Sequence, residues 1–234
     1  MAIVGIVGGI GPESTIEYYR AIVSLYREQK ANGNYPSILI NSINFNRMVS
    51  LAAANQWDEA THYLLTEMTR LARAGADFCI IAANTPHIIF DQLQDASPLP
   101  LISIVEETLR RASTLELRRV GLFSTTFTAR GGFYEKVFDR EQIEIVTPDK
   151  DAQAYVHEKY MTELVNGIVL DETKAGLLKI VSRLKAEQHI DGLILGGTEL
   201  SLILKDGDDS EIPFLDTTLI HAESVVRELL RREK

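Results

Sequence analysis

The chain has 234 residues, 45% hydrophobic and 24% charged, enough for one substantial core or two small domains sharing an interface. Its net charge of −9, without a run of five or more like charges or a basic stripe interleaved with aromatics, argues against a nucleic-acid partner. A single cysteine excludes an internal disulfide and any multi-cysteine metal site, and no stretch approaches the roughly 18 apolar residues that span a membrane.

In chain order, "AIVGIVG" (2–8) lacks a basic flank and is interrupted by glycines, so it reads as a first strand and not as a signal peptide. A cytoplasmic protein is expected. Further strands are expected at 37–45, 77–83, 101–104, 119–125, 143–148, 192–197 and 213–217. Most are apolar on both faces, as parallel strands covered by helices are. Helical periodicity runs over 58–75, 173–188 and 218–234. Alternation of this kind predicts an α/β fold with parallel sheets and right-handed crossovers.

The sequence also looks duplicated. "VGIVGGIG" (4–11) pairs with "VGLFSTTF" (120–127), an offset of 116, and "DFCIIAANT" (77–85) pairs with "DGLILGGTE" (191–199), an offset of 114. Two matches at a near-constant offset predict two similar α/β halves related by a pseudo-two-fold axis, with a site between them.

Ligands of open parallel sheets bind beyond the carboxyl ends of the strands. The first strand ends in "GGIGPEST", where Gly8, Gly9 and Gly11 let the backbone approach a ligand and Pro12 suits a helix start that favours an anion. A dinucleotide reading fails, because Ser14 replaces the third glycine and no acidic residue follows the second strand directly. Beyond that second strand stands Arg47, either a two-point carboxylate grip or a surface arginine. The third strand ends in "AANTPH", offering Asn84 and Thr85, with His87 as an acid/base or else a structural histidine. The second half offers Ser124, Thr125, Thr126 and Thr128, then Thr198 and Glu199, and later Asp216, Thr217 and His221. The Asp216–His221 spacing is weak metal evidence, and no metal is expected. These groups suit a small anionic substrate rich in hydrogen-bonding groups.

The ordered motifs "GIVGGIGPEST", "AANTPH", "LGGTEL" and "FLDTTLIHAE" resemble the aspartate/glutamate racemase family over nearly the whole chain. The resemblance implies two pseudo-symmetric α/β domains, 1–100 plus 208–234 and an inserted 101–207, with the site between them. It also implies no cofactor, commonly a homodimer, and an acidic amino acid or dicarboxylate as ligand. In that family two cysteines act from opposite faces of the α-carbon, one removing its proton and the other returning one. Their positions here are Ala83 and Gly197, neither of which ionises, and glycine at 197 leaves a hole where a side chain is expected. The substrate-binding positions carried over are Gly9, Ile10, Arg47, Asn84, Thr85, Thr125, Thr128 and Thr198. A lysine that some members carry is Ile168 here.

Cys79 lies four residues before Ala83, about 13 Å back along the strand, and reads as core. His87, Thr198 and Glu199 are the remaining catalytic candidates. Three functions follow: a PLP-independent racemase, a non-catalytic binder of acidic amino acids or dicarboxylates, or a one-base lyase or decarboxylase. Installing cysteines at 83 and 197 is the variant that asks whether only the thiols are missing.

Overall fold

The computed structural model describes residues 2–30 and 33–233. Met1 and Lys234, which the expected domain bounds include, lie outside the described residues. The elements run β1 (Ile3–Gly8), α1 (Pro12–Gln29), β2 (Ser37–Ser42), α2 (Phe45–Ala53), α3 (Trp57–Arg73), β3 (Phe78–Ile81), α4 (Phe90–Ala96) and α5 (Ile104–Thr114). They continue with β4 (Arg119–Phe123), α6 (Thr126–Arg130), α7 (Phe133–Phe138), β5 (Glu144–Val146), α8 (Lys150–Thr162), α9 (Asp171–Gln188), β6 (Gly192–Leu195), α10 (Leu200–Ile203), β7 (Phe214–Asp216) and α11 (Thr217–Arg232). A 3-10 turn, Thr85–Ile89, links β3 to α4. Among the described residues no helix is long and apolar enough to cross a membrane.

The chain divides into two units. One runs to Ile104 and resumes at Thr218, and the other spans Val105–Thr217. The expected boundaries were 100 and 207; the difference at the second is made by 208–217, which ends on β7, and β7 pairs with β6 in the second sheet. The expected strand at 101–104 is reduced to a bridge between Leu101 and Cys79, and α5 already begins at Ile104.

Both sheets are parallel, ordered β2-β1-β3 in the first unit and β5-β4-β6-β7 in the second. The registers repeat. Val4 faces Phe78 in the first sheet and Val120 faces Gly192 in the second, the offsets 116 and 114 read from the sequence. The paired aspartates do the same work. Asp77 Oδ2 accepts from the Ile3 N–H at 2.7 Å, and the Asp191 carboxylate accepts from the Arg118 and Arg119 N–H groups at 2.7 and 3.0 Å. Each holds the start of its central strand. The two-domain α/β expectation is borne out.

Burial explains the apolar runs. In β3 and the residue pair after it, Phe78, Ile80 and Ala82 pack with Tyr18, Ile22 and Val225 of α1 and α11, whereas Cys79, Ile81 and Ala83 pack with Leu64, Met68 and Leu93 of α3 and α4. A strand covered on both faces has no polar side to alternate with. Cys79 is fully buried, and burial pushes its thiol up to about 12, so it is inert scaffold.

Candidate functional site

In the first unit three strand ends are tied together by backbone and small hydroxyls. The Gly9 N–H donates to Thr15 Oγ1 at 2.8 Å, and Ile43 N–H donates to the Gly8 carbonyl at 2.9 Å. Ser14, in the place of a third glycine, donates to the Gly11 carbonyl at 2.8 Å and reaches the Ala82 carbonyl at 3.4 Å. The turn carrying Gly9 and Ile10 is thereby joined to the end of β3, where Asn84 is buried and Thr85 half-buried. Gly9 has φ +81°, and a Cβ there would lie 2.5 Å from the Ile43 carbonyl oxygen. Gly9→Ala is expected to cost at least about 2 kcal/mol from backbone strain and collision, read as a lower urea midpoint; a native-like midpoint would show that this turn is not fixed.

Arg47 stands in the first turn of α2. Asn44 caps that helix by accepting from the Arg47 N–H at 3.1 Å, and its own N–H donates to the Tyr63 hydroxyl at 3.2 Å. The exposed Arg47 guanidinium lies over the Tyr63 ring, 4.0 Å from its centroid. Stacking holds the guanidinium while leaving its N–H edge for a carboxylate. Neither Asn44 nor Tyr63 was singled out from the sequence, although an asparagine directly before a helical stretch is a capping signal.

His87 needs correction as an acid/base candidate. The Ile104 N–H donates to its Nε2 at 3.2 Å, which leaves the proton on Nδ1 to donate to the Ala83 carbonyl at 3.1 Å. Both nitrogens are committed, and the ring stacks on Phe90. Burial first, then the neighbouring His221, lowers its pKa to about 3. It is a neutral structural histidine. His221 is used similarly: Nδ1 accepts from the Tyr18 hydroxyl at 2.8 Å, and Nε2 donates to the Ile102 carbonyl at 3.0 Å. It has no nitrogen to share with a metal.

In the second unit the strand ends are served by α8. Its residues Gln153, His157 and Tyr160 recur at i, i+4 and i+7, so they share one face. Gln153 Nε2 donates to the Ser124 carbonyl at 2.8 Å, and the Thr126 N–H donates to His157 Nδ1 at 3.3 Å. Tyr160 donates from its hydroxyl to Glu199 Oε2. Thr125 caps α6, its Oγ1 accepting from the Thr128 N–H at 3.3 Å and donating to Thr128 Oγ1 at 3.4 Å. Thr198 Oγ1 donates to Glu199 Oε2 at 2.9 Å. Thr125, Thr128, Thr198 and Glu199 are all buried.

Gly197 does not leave a hole. A Cβ built there would run into Cε2 of the Tyr160 ring and stand 3.2 Å from Cδ2 and Cζ. The ring fills the space, and burial followed by the Glu199 carboxylate keeps the phenol protonated, raising its pKa far above the usual range. Tyr160, like Asn44, Tyr63, Gln153 and His157, is not among the candidates that the sequence offers. Its one advance signal was the polar i, i+4, i+7 stripe on α8. Ile168, at the family's lysine position, is exposed beside the exposed Val169 and Leu170. Surface hollows bounded by α8 and α9 (Tyr155, Lys179, Arg183) and by α1 and α11 (Leu25, Glu223, Arg227) share no residue with these strand ends.

Comparison with known proteins agrees with this architecture. The Asp/Glu/hydantoin racemase family model matches residues 7–225, and the chain belongs to that family. It is 25% identical over 232 residues to the broad-specificity amino-acid racemase RacX of Bacillus subtilis, covering 95% of this chain and 96% of the relative. A crystal structure of a candidate Asp/Glu racemase from Yersinia pestis superposes with a TM-score of 0.88 at 31% identity, over 98% of this chain and 100% of that one. An aspartate racemase homologue from Pyrococcus horikoshii gives 0.83 at 31% identity, over 99% of each chain.

Proposed function

We propose that this chain recognises a small acidic amino acid at the carboxyl ends of its strands and does not invert it by the two-thiol route. The observation that carries the reading is the Tyr160 ring in the side-chain space of Gly197. Inversion at carbon needs an acid and a base on opposite faces. Ala83 offers a methyl group, and the space beside Gly197 holds a phenol turned toward Glu199. The groups that support recognition are Asn84 and Thr85 after β3, Thr125 and Thr128 after β4, and the Arg47 guanidinium, whose stacking on Tyr63 suits it to grip a distal carboxylate.

A second reading is favoured by the Tyr160–Glu199 hydrogen bond, which couples a phenol proton to a buried carboxylate. Such a couple suits one-base proton exchange. Incubation with L- and D-aspartate and glutamate in D2O, followed by NMR of the α-proton and by ligand titration, separates the two. Binding without exchange is the expected result, and exchange with retention supports the one-base reading. Exchange with inversion would sink both.

A further inference from the structure

A strand at the edge of a sheet presents N–H and C=O groups ready to pair with another chain, and natural edges are shortened, charged or covered. Among the described residues the two sheets end on β2, β3, β5 and β7. The edge of β3 is covered by 100–102: the Cys79 N–H donates to the Pro100 carbonyl at 2.9 Å, and the Ile102 N–H to the Cys79 carbonyl at 3.2 Å. β5 and β7 have three residues each and carry Glu144 and Asp216. β2 is different. Its six residues, SILINS, are uncharged and keep an unbroken register with β1. Successive residues of a strand turn their N–H and C=O groups to opposite sides. The Ile43 N–H, just beyond β2, donates inward to the Gly8 carbonyl, so Ile38, Ile40 and Ser42 turn their backbone groups outward.

The side chains beside this edge are apolar. Ile38 packs against the cluster of Tyr18, Ile22 and Tyr26, on the face that α1 covers, and Leu39 against Leu64 and Met68 on the other. Ile40 shares the face of Ile38 and is 42% exposed. Ile16 and Tyr19 of α1, 43% and 49% exposed, lie on one helix flank with Arg27. The Arg27 guanidinium stands 5.0 Å from the ring centroid of Tyr35, two residues before β2, so this flank borders the β2 edge. Ile16, Tyr19, Tyr35 and Ile40 leave roughly 400 Å² open, half of the about 800 Å² that each partner of a stable interface buries, before any backbone is counted.

We infer that a second copy of this chain docks on the β2 edge, antiparallel about a two-fold axis at Ile40, and joins the two three-stranded sheets into one of six. The resemblance implies a homodimer but names no surface; β2 supplies the surface and the register. Ile40 pairs with Ile40 of the second copy, and Ile38 with Ser42 of the second copy, each through both backbone groups. Pro36, which has no N–H, lies beyond the paired run. An axis perpendicular to the sheet keeps α1 on the same face in both copies, so Ile16 and Tyr19 of each close over the seam.

The test is sedimentation of the full chain over about 1 to 100 μM, where an interface of this size holds. The native chain is expected at twice its chain mass. Ile40→Pro removes one outward N–H and leaves the β1–β2 ladder whole, and Ile40→Lys puts a charge on the seam. Each should weaken association at least about 10-fold while far-UV circular dichroism stays native. Ile40→Cys reads the register without disturbing the strand. Its two Cα atoms would stand about 5.5 Å apart, so mild oxidation should link the copies on a non-reducing gel. Leu115→Cys, equally exposed at 46% but in the second unit, should stay single, and the native Cys79 is buried. A native chain that is monomeric throughout, a pair that survives both Ile40→Pro and Ile40→Lys, or an Ile40→Cys protein no more linked than Leu115→Cys would overturn the inference. Ligand recognition at the strand ends stands or falls separately.

Discussion

Gly197→Cys made alone is expected to destabilise the protein by about 1–3 kcal/mol and to present no usable thiol. The new Cβ meets the Tyr160 ring, and that ring has little room to move. It is packed in the core of the second unit with Val156, Leu164 and Leu200, and its hydroxyl is fastened to Glu199. Interiors are close-packed, so an added side chain displaces its neighbour or the backbone. Tyr160→Val alone should cost about 3 kcal/mol or more, through a cavity and a lost partner for a buried carboxylate. Together the two changes relieve each other. The double variant should be more stable than the sum of the single losses predicts, by at least about 1 kcal/mol. Urea denaturation of the four proteins measures this, and strict additivity would mean that Tyr160 and Gly197 are not a coupled pair. Cysteines at 83 and 197 are therefore insufficient as a repair. The tyrosine has to shrink as well.

Much of the scaffold could be read in advance because its signals are local or repeat at a fixed offset. Asp77 and Asp191 mark the same hydrogen bonds to the starts of β1 and β4, and the ladder registers carry the offsets unchanged. The strand ends were legible because glycine, asparagine and threonine break an apolar run abruptly. The segment 101–104 misled because apolar composition does not distinguish a strand from a stretch that meets its neighbour at one residue. Cys79 bonds to the Pro100 carbonyl and accepts from Ile102, and then the His87 ring takes the Ile104 N–H where α5 begins. Tyr160 stayed hidden for another reason. Its partner Glu199 is 39 residues away, and a tyrosine on a helix reads as ordinary core until the glycine it covers is known. Similarly, the position of His87 at a strand end leaves an acid/base and a structural histidine both open, because the two backbone partners that decide between them are set by tertiary structure.

Acidification from about pH 6.5 to 5 is expected to weaken the fold by up to about 4 kcal/mol, before most carboxylates titrate. The two buried histidines of the first unit are the cause. Burial lowers His221 to about 4, and burial with the nearby His221 lowers His87 to about 3, against an ordinary value of 6.5. A histidine whose folded pKa is depressed binds its proton more readily when unfolded. Its contribution is thus complete above 6.5 and is lost as pH falls toward the folded value, at about 1.36 kcal/mol per pH unit for each ring. The structural consequence is specific. Protonating either ring forces a second donor into a place that needs an acceptor: His87 would lose the Ile104 N–H, and His221 would lose the Tyr18 hydroxyl as donor. The rings are T-shaped at 6.5 Å between centroids, so two positive charges there would also repel. His157, depressed by partial burial and by Arg130, adds in the same direction with a smaller share. Glu228, held near 2 chiefly by its hydrogen bond to Arg231, matters only below its ordinary range and leaves the window clear. Urea midpoints at steps between pH 5 and 8 measure the slope. His221→Gln should lower absolute stability yet flatten the slope by about one proton, a change that ordinary packing damage does not produce. A native chain equally stable at pH 5 and 7, or a variant with an unchanged slope, would show that these rings are not the acid-sensitive pair.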